Sequence, residues 1–344
     1  MKRLFFVFFL VFSGLSAVFA QPRITIVHDA NRQKADVLLD GKPFTSYVYA
    51  ENLKKPVLWP VVTAGGNEIT RSFPLKNKGG ERADHPHHVG IWFNYGDVNG
   101  LDFWNNSETV SADRAGNYGT IYHKSVDLTE NGRGAGRLNT TALWKDHQGK
   151  ILLEETTEYT FSVQKNARII DRTSTLRAVN GAVKMTDNKE GMFAIRVARE
   201  LELPASGKIR VTDAQGNVVE ADASAGNPAS GNYLSSEGIT GEAVWGTRAK
   251  WVKLHGVING EQVAVVILDH PGNAGFPTYW HARGYGLFAA NPLGQKVFSN
   301  GAEEMSFVIE NEHTATFRFR LAIFSGDPPV EEIENLAKSF QNKL

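Results

Sequence analysis

The 344-residue chain contains no cysteine, which excludes disulfides, thiolate metal sites, iron–sulfur clusters and cysteine nucleophiles together. It has no charge excess: 37 Lys and Arg face 37 Asp and Glu, a formal net charge of zero with histidine neutral. A chain without a positive field does not gather polyanions, so nucleic acid is not an expected partner. No HExxH, GxSxG or P-loop sequence occurs, so the helical zinc-protease site, the serine nucleophile elbow and the Walker phosphate cradle are missing. Beyond residue 20 no apolar run approaches the roughly 20 residues that cross a bilayer. What is present is an ordinary globular balance, 42% hydrophobic and 22% charged, which excludes disorder and supports a large core.

The first twenty residues stand apart. Met1-Lys2-Arg3 is a basic start, residues 4–12 are wholly apolar, and Val18-Phe19-Ala20 precedes Gln21. This pattern predicts a signal peptide, residues 1–20, cleaved after Ala20. Ser13-Gly14 and Ser16 interrupt the run, which disfavours an uncleaved anchor. Residues 21–344 are then expected to be an exported protein, periplasmic or secreted, with no membrane span after cleavage. Neither NAD nor haem is an expected cofactor there.

Strand patterning covers nearly all the rest. Segments 24–27, 35–39, 43–48 and 57–62 are short and bounded by Gly, Asn or Asp. Asp40-Gly41, Asn131-Gly132 and Asn259-Gly260 are hairpin-type turn dipeptides. Segment 150–163 places Glu154, Thr156, Glu158 and Thr160 on one face, as a half-buried strand does. Segments 168–178, 252–258, 262–268 and 314–324 continue the pattern. Only the C-terminus is helical in character: Asp327 suits an N-cap, Pro328 and Pro329 a first turn, and Val330, Ile333, Leu336, Ala337 and Phe340 fall on one stripe. The polar stretch 221–241 reads as a long loop. Short strands without interleaved helices predict an all-β fold, a large antiparallel β-sandwich with a C-terminal helix, as a single domain over 21–344.

Histidine is unevenly distributed. Asp84-His85-Pro86-His87-His88 gathers three, and Tyr279-Trp280-His281 adds another. In extended chain, residues two apart face the same side, so His85 and His87 are candidate ligands for a divalent metal; without cysteine its ligands would be N and O, leaving zinc, manganese or iron open. Trp92-Phe93-Asn94 and Phe103-Trp104 interleave rings with amide and acid groups in the manner that suits sugar recognition. His281 and Arg283 alternate along one strand face, a pairing of base and cation that could stabilise a developing oxyanion. Glu190, before the strand 193–197, is a further candidate base.

These motifs carry a family resemblance. Glu81-Arg82-Ala83-Asp84-His85-Pro86-His87-His88-Val89-Gly90-Ile91-Trp92-Phe93, Glu190-Gly191-Met192, Tyr279-Trp280-His281-Ala282-Arg283 and Tyr285-Gly286-Leu287-Phe288-Ala289-Ala290-Asn291-Pro292 make the chain resemble the PmoA-like group of secreted bacterial proteins of unknown function. Val89 stands where many members carry Arg. The resemblance implies membership and a sugar-related context by association. It does not imply methane mono-oxygenase activity, because that enzyme's subunit spans the membrane repeatedly and this chain has no such segments. The strand pattern is also similar to the galactose-mutarotase-like supersandwich, whose mutarotases use His and Glu on an open concave sheet.

The expectation is therefore a carbohydrate-active enzyme, an epimerase, lyase or hydrolase acting on a sugar or keto-sugar. His281, Glu190, Arg283 and His88 are its candidate catalytic residues. Trp92, Asn94, Trp104, Trp280 and Arg71 are its candidate substrate-binding residues, and His85 and His87 its candidate metal ligands. The alternative is a glycan-binding sandwich without catalysis.

Overall fold

In the strand Lys34–Leu39, Ala35, Val37 and Leu39 are buried while the residues between them are only half so. Side chains two apart share a face, so the strand has one inner and one outer surface. Asp40 and Gly41 follow with φ of 48° and 76°, the doubly left-handed turn that matches the twist of a tight hairpin. The strand Lys42–Val48 then returns alongside. Asn259 and Gly260, at 49° and 81°, turn the chain in the same way between Trp251–Ile258 and Glu261–Asp269.

This computed structural model describes residues 21–226 and 229–342; the expected signal peptide lies outside them. Repeated pairing of this kind produces two large antiparallel sheets. One has nine strands in the order Tyr279–Ala282, Leu287–Asn291, Gly191–Arg196, Ile91–Tyr95, Val57–Val61, Lys42–Val48, Lys34–Leu39, Arg23–Asp29 and Gly132–Arg133. The other has eight, ordered Asn232–Ser235, Trp251–Ile258, Glu261–Asp269, Thr314–Ser325, Ala167–Ala178, Ile151–Gln164, Ala135–Lys145 and Thr120–Glu130. The expected antiparallel sandwich is what the chain forms. Its two inner faces share one core and meet through rings from opposite sheets. Phe193 stacks on Phe319 at 5.1 Å, Phe44 meets Phe161 edge-on at 6.0 Å, and Phe93 meets Trp144 at 6.3 Å. Each such pair adds about 1 kcal/mol beyond its buried area.

The outer face of the eight-stranded sheet is closed by the C-terminal helix Val330–Gln341. Ile333, Leu336, Ala337 and Phe340 pack on Trp251, Val266, Leu268 and Phe324. Arg320 grips Asp171 through two bonds of 2.6 and 2.9 Å and reaches the Leu336 carbonyl at 3.2 Å.

Three local expectations are corrected. Pro329, not Asp327, occupies the N-cap, because the Asp327 carboxylate is taken by Lys253 Nζ at 2.6 Å; Val330 stays exposed. After Asn131 the chain does not turn at once: Gly132 and Arg133 first pair with Ile24 and Arg23 at the edge of the other sheet. The stretch 221–241 is not wholly loop, since Asn232–Ser235 pairs with Trp251–Ile258 and buries Tyr233 in the core.

No helix among the described residues is long and apolar enough to cross a membrane.

Candidate functional site

With a helix on one outer surface, the other outer surface is that of the nine-stranded sheet. A row of cross-strand neighbours runs over it: His281 pairs with Ala289, Ala289's neighbour is Ala194, and Ala194 pairs with Trp92. Directly opposed residues point to the same side, so His281 and Trp92 stand on one face, separated by two methyl groups. Val57, Val89, Trp104 and Leu287 complete this second, smaller cluster, and Tyr285 packs on it.

Above the row lies a column of four rings. Tyr285 stacks on His85 with centroids 5.0 Å apart, His85 on His88 at 4.9 Å, and His88 on Trp92 at 5.3 Å. His87 meets His85 and His88 edge-on at 5.7 and 4.3 Å. His85 sits at φ 41°, a left-handed conformation in which the chain turns back over the sheet.

Two buried arginines hold this turn. Arg71, 1% exposed, donates to the carbonyls of Arg82, Asp84, His85 and His88 and to Asp84 Oδ1, at 2.7–3.1 Å. Arg196 donates to Asp84 Oδ1 at 2.7 Å and to His88 Nδ1 at 3.2 Å. Because guanidinium only donates, His88 Nδ1 accepts and its proton lies on Nε2. Burial would raise the Asp84 carboxyl, but its bond with His85 and the charges of Arg196 and Arg71 hold it well below the usual range. Burial, then the neighbouring His87, pushes His88 well down. Burial, reinforced by Lys55, lowers His87 to about 2. Both imidazoles are neutral at physiological pH.

At the other end of the row His281, 3% exposed, bonds through Nδ1 to the Lys189 carbonyl at 2.9 Å. A carbonyl accepts only, so Nδ1 carries the proton and the lone pair is on Nε2. Burial, then the Lys189 charge, lowers this imidazole to about 3. Glu190 lies beside it, Oε2 3.6 Å from His281 Nδ1 and Oε1 2.7 Å from Lys189 Nζ. Exposed Arg283 spreads over Tyr285 at 5.7 Å and over Trp245 at 5.5 Å. Glu190 and Arg283 both act electrostatically on the Tyr285 hydroxyl, and His85 acts on His281. The chain thus brings His281, Glu190, Arg283, His85, His87 and His88 to one surface.

Other candidates are placed differently. Trp280 points to the opposite face of its strand from His281, fully buried in the inter-sheet core, with Nε1 bonded to the Ala249 carbonyl at 3.0 Å. Strand alternation leaves it no route to a ligand on the outer face. Trp92 and Trp104 are on the correct face but wholly buried, so they form the floor under the imidazoles and offer no open ring face. Asn94 is also buried and its amide is committed to the Phe103 carbonyl at 2.6 Å. Arg71 is spent on the turn's backbone. The His85 and His87 rings pack edge to face, and among the described residues no group of three His, Asp or Glu side chains is placed to hold a cation.

Two participants were not read from the sequence. Tyr285 continues the alternation of His281 and Arg283, which was signal enough to find it. Lys55, 4% exposed, carries no sequence signal, since a Lys-Lys-Pro segment reads as surface.

Among solved structures the chain is similar to the GH36 α-galactosidase AgaB from Geobacillus stearothermophilus, with 11% identity, 89% of this chain and 41% of that one covered, and a TM-score of 0.40. It is similar to the galactosidase domain of the α-galactosidase–sucrose kinase AgaSK, with 11% identity, coverage of 88% and 42%, and a TM-score of 0.41. It is also similar to Slr1438 from Synechocystis sp. PCC 6803, with 7% identity, coverage of 88% and 96%, and a TM-score of 0.31. The chain spans about two fifths of the length of the two galactosidase structures. No curated protein matches it. Residues 34–338 match a single family model, and the chain belongs to that family of unknown function, DUF6807.

Proposed function

We propose that this protein is an exported carbohydrate-active enzyme whose chemistry is proton transfer at a carbonyl or anomeric carbon, of the epimerase, lyase or hydrolase type. The observation that carries this reading is Glu190: a largely covered carboxylate, 3.6 Å from the Nδ1 of a neutral imidazole and 2.7 Å from an ammonium, whose charge is felt by Tyr285 of the ring stack. Glu190 is the base. An imidazole lowered to about 3 holds a proton too weakly at neutral pH to serve as one, so His281, whose Nδ1 proton is given to the Lys189 carbonyl, accepts a hydrogen bond from a substrate hydroxyl at Nε2. His88, buried behind His85 and tied to Arg196, positions the stack and does not touch substrate. Arg283, exposed at the rim, is the group that orients the sugar, and the half-exposed Tyr285 ring beside it, which caps the column over His85, takes its apolar face. Export is supported by the pattern of residues 1–20.

A second reading, glycan binding without turnover, is favoured by the packing of the imidazoles. Imidazoles stacked on one another, with His87 and His88 held neutral by burial, suit a binding platform as well as a reaction centre.

Proton NMR of the protein with a panel of neutral sugars and 3-keto-sugars separates the two. Conversion of one compound, abolished by Glu190→Gln with the fold intact, supports the enzyme. Line broadening without conversion, lost on Tyr285→Ala and kept in Glu190→Gln, supports the binding module. Neither conversion nor broadening overturns both.

A further inference from the structure

On the far side of the turn that carries His87, a cleft of about 260 Å³ opens between segments 52–57, 73–75 and 106–109. Its walls are Leu53, Val57, Phe73, Leu75, Pro86 and Val89. Its rim is polar: Lys54 pairs with Glu108, and the hydroxyls of Ser107 and Thr109 bond at 2.9 Å.

Lys55 also lines this cleft. Its side chain is buried, Nζ donates to the His87 carbonyl at 2.7 Å, and Nζ stands 5.5 Å from the Trp92 ring centroid. An ammonium has three donors. Among the described residues this one meets one carbonyl and one ring face, while Asp102 acts on it only through space. A buried cation without a paired anion is costly, and buried charges are normally paired. A ligand carboxylate at Nζ supplies that missing anion, and the apolar walls take the rest of the ligand. A polyol is the poorer fit, because its hydroxyls would be left unpaired against Leu, Val, Phe and Pro side chains.

We propose that this cleft binds a small organic acid with an apolar body, its carboxylate on Lys55 and its body between Leu53, Phe73, Leu75 and Val89. This site adjoins the surface of Glu190 and His281 through His87, which lines both, and its ligand does not depend on the sugar reading.

The test is calorimetric titration of the full chain at pH 6, where Lys55 carries its charge, with benzoate and hexanoate, using benzamide as the neutral isostere. Both acids bind with Kd below about 1 mM, and benzamide binds at least tenfold more weakly, about 1.4 kcal/mol. Lys55→Met, which keeps side-chain length and removes the charge, loses at least tenfold for benzoate, and Lys55→Arg retains most of it. Leu75→Trp fills the cleft from its wall without touching the cation and also weakens benzoate at least tenfold, so the proposal stays testable if Lys55→Met does not fold. Equal binding of benzoate and benzamide, unchanged affinity in Lys55→Met or Leu75→Trp, or no binding of either acid overturns it.

Discussion

Replacing Arg71 by Met tests how the His85–His88 turn is held. The guanidinium makes five hydrogen bonds of 2.7–3.1 Å, four to backbone carbonyls and one to Asp84. At roughly 1.5–3 kcal/mol for a hydrogen bond to a charged group, five simply added would exceed about 7 kcal/mol. That sum is too large here. Asp84 keeps its 2.7 Å bond to Arg196, the guanidinium carried its own desolvation cost, and the carbonyls of a half-exposed turn regain water once it loosens. Breaking one member of a buried charged network costs about 3–5 kcal/mol, and Arg71→Met is expected to cost about 4 kcal/mol. Domains are commonly stable by about 5–15 kcal/mol, so the fold survives with the turn released. Urea unfolding followed by tryptophan fluorescence gives the energy, and amide hydrogen exchange gives the place: residues 82–90 lose protection while the inner strands keep theirs. Arg71→Lys, a point charge without the fork, reaches fewer of the carbonyls and recovers part of the loss. A cost below about 1 kcal/mol, or exchange that rises evenly over the whole chain, would refute the claim that this residue organises the turn.

Burial lowers Lys55 from 10.5 to about 7. Between those values the unfolded chain binds a proton that the folded chain does not, so this residue makes stability rise with pH across the window. Its penalty is full below about pH 7 and amounts to about 5 kcal/mol. Urea midpoints at several pH values check this, because Lys55→Met should flatten the wild-type rise between pH 7 and 10. Trp280→Ala should cost about 3–5 kcal/mol as a large core truncation, whereas Trp280→Phe should leave the affinity of any sugar that binds unchanged, as titration would show. Gly90 has φ 58°, and a Cβ there would lie 2.3 Å from the Leu58 carbonyl oxygen, so Gly90→Ala should displace the strand Val57–Val61 and lower the thermal midpoint by several degrees.

The sandwich was legible because its signals are local. Alternation along a strand and the Asp40-Gly41 and Asn259-Gly260 turns depend on neighbours in sequence and on nothing else. The same alternation placed His281 opposite Trp280, and the sequence reading still assigned both to one site; period two allows only one of them on the outer face. Asp327 was legible as a helix cap by residue type, but its partner, Lys253, lies 74 positions away and no local rule anticipates it. The wholly buried Trp92, Trp104 and Asn94 illustrate the same limit. The face of Trp92 and Asn94 follows from the strand Ile91–Tyr95, whereas His88 of the turn 84–88 packs over Trp92 and Trp104 from elsewhere in the chain and the Phe103 carbonyl takes the Asn94 amide. Arg71 was named from the sequence as a candidate substrate-binding residue. That it serves four carbonyls instead of a ligand follows only from its burial.

Why the chemistry-bearing residues collect on this one surface follows from how each outer face is covered. A helix needs one apolar stripe and leaves a smooth, closed layer, as Val330–Gln341 does on the eight-stranded sheet. The nine-stranded sheet is covered by irregular chain between its strands, whose backbone polar groups cannot all pair within a ladder. Arg71 and Arg196 meet that need from below, Arg71 at the turn's carbonyls and Arg196 at the Asp84 carboxylate and the His88 ring, so the polar support of the turn lies under the rings and leaves their outer edges uncovered. Small residues do the rest. Ala194 and Ala289 keep the sheet low between Trp92 and His281, beside the column in which His88, His85 and Tyr285 rise in turn from Trp92. The surface that was hardest to cover with regular structure is therefore the one on which a carboxylate, a neutral imidazole and an exposed guanidinium stand together.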